Sequence, residues 1–193
     1  MSKAPIFSVF CIDYRYNSML DDFYTGIGLG FNYFSCSTAG AALCLGYKKY
    51  CKSPKGCHEC GCDPDNPSII TLKRSVVENL NIALTLKDIT DVYLINHEDC
   101  GAIRAFLACS GYPNFGENNK KEININEKLL VYAAEFMDKK FPEKKYKLGL
   151  IDINGTVAYF SPIHKEWTVV FIGKYEDPQA LWYGLNVGDT YKG

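Results

Sequence analysis

The sequence predicts an α/β fold: a largely parallel central sheet of about four strands, with an antiparallel edge strand or hairpin, flanked by helices. Three observations lead to it. Short, continuous apolar runs at residues 6–12 and 91–96 read as buried parallel strands. Stretches with apolar residues at helical spacing alternate with them. A pair of apolar runs joined by Asn154-Gly155 reads as a hairpin.

Each element follows from local chemistry. Residues 6–12 end abruptly in Asp13-Tyr14-Arg15, as a buried strand does at its carboxyl end. A second apolar and aromatic run, 31–36, follows Gly26, Gly28 and Gly30 and reads as a strand, and residues 39–45 read as the start of a small-residue helix. Residues 51–67 mix Cys, Pro, Gly, Asp and Asn without hydrophobic periodicity, which predicts a loop or a small local excursion. From Ser68, the spacing of Ile69, Leu72, Val76, Leu80, Ala83 and Leu84 predicts a helix to about residue 86, followed by the buried strand 91–96. Residues 102–109 read as a short helix, 111–119 as a turn-rich loop, and 125–140 as an amphipathic helix with a Lys-rich end before Pro142. Residues 147–153 and 156–160 form the hairpin, and 167–172 read as one further strand. No repeat, linker or low-complexity tract interrupts the chain, so a single domain over residues 1–193 is expected.

A chain of 193 residues, 47% hydrophobic and 22% charged, is long enough to bury a core of its own. It has no apolar run of membrane-spanning length, and its N-terminal residues lack a secretory pattern, so a cytoplasmic protein without a membrane partner is expected. A net charge of -1 gives no reason to expect nucleic acid as a partner. The nine cysteines are an odd number without an export signal, which favours metal ligands plus buried thiols over a disulfide framework.

The chemistry concentrates at two strand ends. Cys11-Ile12-Asp13-Tyr14-Arg15 and His97-Glu98-Asp99-Cys100-Gly101 together offer two thiols and an imidazole. Three ligands of this kind suit a catalytic zinc ion, which keeps its fourth tetrahedral position for water. Asp13 and Arg15 alternate along the chain, so in extended backbone both face the side of Cys11 and form an ion pair. The Asp13 carboxylate then either accepts a hydrogen bond from water on the metal or becomes the fourth ligand and closes the site.

The pairing of Cys-x-Asp-x-Arg with a later His-x-x-Cys-Gly closely resembles the beta-class carbonic anhydrases, over most of residues 6–160. The resemblance implies that family's fold, zinc bound by Cys11, His97 and Cys100, and Asp13 and Arg15 as the catalytic dyad that orients a zinc-bound hydroxide. It implies reversible hydration of carbon dioxide to bicarbonate and a proton. A homodimer or higher homo-oligomer is expected, although the helices that many members place before the first zinc cysteine have no counterpart here. Tyr14 stands where the family usually has serine, and Ser37-Thr38-Ala39-Gly40-Ala41 lacks the family's arginine and asparagine. No glutamine occurs near Asp22-Phe23-Tyr24. These departures keep two other readings open: a zinc-bearing structural or assembly subunit without turnover, and a hydrolase of a related small molecule such as carbon disulfide.

Cys51, Cys57, Cys60 and Cys62, with His58 between them, have spacings that suit a second, structural metal, with free thiols or one disulfide as alternatives. Cys36, Cys44 and Cys109 sit in apolar settings and read as packing residues. His164 reads as a surface histidine in a turn, and Trp182 and Tyr183 as core or subunit interface.

Overall fold

A computed structural model describes residues 5–30, 32–50 and 65–192 of the protein. The segment 51–64, with Cys51, Cys57, Cys60, Cys62 and the expected second metal, lies outside the described residues, as does the side chain of Cys109.

The described residues form one seven-stranded sheet, ordered β2-β1-β3-β4-β5-β6-β7. Strands β1 (Ile6–Phe10), β2 (Tyr33–Ser37), β3 (Asp91–His97) and β4 (Lys145–Ile151) are parallel neighbours. Strands β5 (Val157–Ser161), β6 (Glu166–Phe171) and β7 (Thr190–Tyr191) continue it antiparallel. The parallel part agrees with the sequence reading, as do β5, the second arm of the expected hairpin, and β6, the further strand read at 167–172; β7 is the one strand it did not include. Two-residue β7 is too short to show a period. From β1 the chain crosses to β2 on one side of the sheet and to β3 on the other, so the crevice beyond β1 and β3 is a topological switch point.

Helices α2 (Leu43–Tyr50), α3 (Pro67–Leu86), α4 (Gly101–Phe106) and α5 (Asn119–Lys140) supply residues to the larger core with Phe7, Val9, Leu94 and Leu150. The smaller core, around Ile6, Tyr93, Ile95 and Val157, is covered by α1 (Asn17–Gly26) through Leu20, Phe23 and Tyr24. Helix α1 is absent from the sequence reading, because its apolar set is short and runs into glycines that signal a turn. Helix α2 begins later than residue 39, since Gly40 and Ala41 adopt left-handed backbone at φ 75 and 48. Helix α3 starts as its composition dictates, with the Asn66 side chain accepting from the Ser68 amide and Pro67 in the first turn. Helix α5 starts at Asn119 rather than 125; its first turn is polar, capped by the Asn118 side chain, and carries the buried Glu122. No helix among the described residues is long and apolar enough to cross a membrane.

The segment after β7's partner strand closes the core. Trp182 lies 5.5 Å from Trp167, ring centre to ring centre, and its indole N–H donates to Leu150 O at 3.1 Å. Asp152, fully buried just past β4, accepts hydrogen bonds from the amides of Asn154 (3.0 Å), Thr156 (2.9 Å) and Trp182 (3.1 Å).

Helices α2 and α5 meet backbone to backbone: a Cβ on Gly46 would lie 2.4 Å from Leu129 O and 3.3 Å from Ala133 N. Gly46→Ala is expected to lower stability to urea by about 1–3 kcal/mol, because main chain cannot retreat as a side chain can. Gly101→Ala, with no atom within 4 Å of the added Cβ and ordinary helical backbone, serves as the control and should be neutral or stabilising by up to about 1 kcal/mol.

Asp152 sets a pH dependence. Burial raises its pKa from 3.8 to about 6, against the pull of its three amides. The folded chain therefore holds a proton there that the unfolded chain releases; the stability so contributed is complete below pH 3.8 and lost as pH rises through about 6. The stability difference between metal-free wild type and Asp152→Asn should accordingly shrink by up to about 3 kcal/mol between pH 3.5 and pH 7.5 in urea titrations.

Candidate metal site

Cys11 stands just beyond β1, and His97 is the last residue of β3, so the parallel pairing of these strands delivers both to the crevice. Cys100 follows as the N-cap of α4, after a loop in which Asp99 takes the left-handed conformation at φ 55. The two sulfurs lie 4.0 Å apart, and all three ligand atoms lie within 4.8 Å of one another, buried. Two sulfurs about 2.3 Å from one tetrahedral zinc ion would be about 3.8 Å apart, so the spacing suits that ion.

The imidazole is oriented for ligation. His97 Nδ1–H donates to Glu98 O at 2.6 Å, which leaves Nε2 as the bare nitrogen. That Nε2 is buried and makes no hydrogen bond in the structure. The ring stacks at 4.2 Å on Tyr16, whose hydroxyl also donates to Glu98 O, at 2.8 Å. A buried, unpartnered nitrogen is costly unless something binds it. The Cys-His-Cys group could hold a metal ion.

The two sulfurs differ in how they hold a proton. The facing Cys100 sulfur, with His97 and the Gly40 amide at 3.3 Å, lowers Cys11 below its ordinary value against its burial. Cys100, facing that sulfur and buried, is pushed well above its ordinary value. The Gly40 turn is set from the same strand: Asn96, next to His97, accepts from Ala42 N at 3.0 Å and donates to Asn126 of α5 at 2.9 Å.

Asp13 and Arg15 pair as expected, but not through extended backbone. The chain turns at once into a 3-10 turn, Tyr14–Tyr16, which Asp13 caps by accepting from Arg15 N at 3.1 Å. The guanidinium then folds back, donating from Nε at 3.0 and 3.1 Å and from Nη2 at 2.7 Å. Arg15 holds the Asp13 carboxyl below its ordinary range. The carboxylate is thus engaged by Arg15, and the group of close ligand atoms comprises Cys11, His97 and Cys100 without it.

Three residues that the sequence reading did not assign stand behind the dyad. Asp99 accepts from Arg15 Nη1 at 3.1 Å and from Arg104 Nη2 at 2.5 Å, and its amide donates to the buried Glu122 at 2.6 Å. A trace of this was visible: Glu122 and Asn126 are polar at helical spacing, beside the apolar Ile123, Ile125, Leu129 and Leu130. Beside Asp99, Glu98 accepts from Ile153 N at 2.9 Å, and burial lifts its carboxyl to about 8.

A cleft of about 600 Å³ opens over the group, lined by Cys11, Ile12, Asp13, Tyr14, Arg15, Ala39, Gly101 and Ala102. Tyr14 is 83% exposed at its rim. Cys36 and Cys44 are buried in the larger core, as their settings suggested, and His164 is exposed in a turn. Trp182 belongs to the core, while Tyr183 is exposed.

No family profile matches the sequence. An uncharacterized protein of Rickettsia bellii (strain RML369-C) is 21% identical over 164 residues, spanning 85% of this chain and 86% of that one. An uncharacterized protein of Rickettsia conorii (strain ATCC VR-613 / Malish 7) is 22% identical over 157 residues, 81% of this chain and 72% of that one. Among solved structures, the beta-carbonic anhydrase CcaA superposes over 86% of this chain and 84% of its own, at 14% identity and a TM-score of 0.43.

Proposed function

We propose that Cys11, His97 and Cys100 hold one zinc ion and that the protein catalyses the reversible hydration of carbon dioxide to bicarbonate and a proton. One observation carries this reading: three ligand atoms from distant parts of the chain lie within 4.8 Å, next to an Asp13 carboxylate already clamped by Arg15. The resemblance of the two motifs to the beta-class carbonic anhydrases supports it.

A zinc ion held by Cys11, His97 and Cys100 would supply Lewis acidity, lowering the pKa of water toward neutrality. The remaining work falls to the chain. His97 presents its Nε2 lone pair because Nδ1–H is tied to Glu98 O. Asp13, kept ionised by Arg15, can only accept hydrogen bonds; it would accept one from the O–H of the reacting water and so orient the water's lone pair toward the substrate. Carbon dioxide has no donor and no charge, and Ile12, Ala39 and Ala102 give the cleft an apolar wall for it. The proton leaves through the open mouth to buffer.

Metal analysis and stopped-flow hydration of carbon dioxide test this together. Zinc-loaded wild type should accelerate the pH change; Cys100→Ala should lose about one zinc per chain and all activity. Asp13→Asn should keep the metal and lower kcat by about 100-fold or more. Zinc retained with no rate above buffer anywhere between about pH 6 and 9 would sink the enzymatic reading in favour of a zinc-bearing structural subunit. Parallel assays with carbon disulfide separate the third alternative.

A further inference from the structure

Arg15 is held from two sides. Asp13 takes its Nε and Nη2, and Asp99 takes Nη1 at 3.1 Å through Oδ2 and Nη2 at 3.3 Å through its carbonyl oxygen. The first anchor is local: Asp13 and Arg15 share one short turn, and the Arg15 side chain is 35% exposed, so the pair could move as a unit. The second anchor belongs to the loop that carries His97 and Cys100, and it is itself fixed.

Asp99 sits in left-handed backbone, which residues with a Cβ adopt rarely and Asp and Asn most readily. Contacts on three sides keep it there: Arg104 on Oδ1, Arg15 on Oδ2, and the Glu122 carboxylate on its amide. Glu122 is buried on α5 and also accepts from the Tyr112 hydroxyl, which ties the loop to the core. Charges alternate along the row Asp13, Arg15, Asp99, Arg104, so removing Asp99 leaves two guanidinium groups facing each other with nothing between them.

The geometry points to Asp99 as a positioning residue: held by Arg104 and Glu122, it clamps the Arg15 guanidinium and thereby fixes the Asp13 carboxylate relative to Cys11, His97 and Cys100. The clamp stands on the contacts alone; its effect on rate rests on the function proposed above.

The test uses the full-length protein and two measurements. Side-chain ¹⁵N NMR, with Arg15 assigned by its loss in Arg15→Lys, reads hindered rotation of the guanidinium and needs neither metal nor turnover. Wild type should show slow rotation, and Asp99→Asn, which tolerates the left-handed backbone, should speed it by about 10-fold or more. Arg104→Met should do the same in part and Arg104→Lys should restore it; these variants at a half-buried position carry the test if Asp99→Asn folds poorly. In the zinc-loaded proteins, kcat should fall by about 10- to 100-fold in Asp99→Asn with KM and zinc content held within about 2-fold. Unchanged Arg15 rotation in Asp99→Asn and Arg104→Met overturns the inference, as does a kcat that falls only in proportion to lost zinc. Released Arg15 in a protein whose wild type hydrates no carbon dioxide upholds the clamp and removes the enzymatic reading instead.

Discussion

Parallel pairing of β1 with β3, in the register that sets Val9 against Leu94, is the constraint from which the site follows. The two strands are hydrogen-bonded neighbours, so residues just past their carboxyl ends must emerge together, and the crossovers to β2 and β4 leave that space open. Cys11 and His97 need no loop to find each other. Only Cys100 depends on loop conformation, and there the left-handed Asp99 and the N-terminus of α4 turn the chain back within three residues.

Buried polar groups turn this placement into orientation. A low-dielectric interior makes an unsatisfied polar atom expensive and a satisfied network stiff. Asn96 links the strand to the Gly40 turn and to α5, and Glu98 links the 97–100 loop to the chain beyond β4. Glu122 fixes Asp99. Among the three ligand side chains, His97 Nε2 is the buried nitrogen left without a partner.

Much of this was legible in the sequence because it depends on hydrophobic runs and on residue types at strand ends. The four parallel strands, α3 and the three metal-binding candidates belong to that class. Asp13 and Arg15 were found as a pair for a reason the structure revises: a 3-10 turn, not alternation, closes the contact. What escaped was set by tertiary context. Helix α1 hides behind glycines and a short apolar set, and β7 exists only because Thr190–Tyr191 meets the edge of β6. Asp99, Arg104 and Glu122 are charged residues whose roles lie in distances between elements, which spacing along a chain does not encode.

Trp182 has a further consequence for how the protein is made. Its amide and indole N–H groups satisfy Asp152 and Leu150, at the end of the very strand that flanks His97. During synthesis β1, β3 and the 97–100 loop are made before that tryptophan is. Until residue 182 has been made, Asp152 Oδ2 and the Leu150 carbonyl lack these two partners.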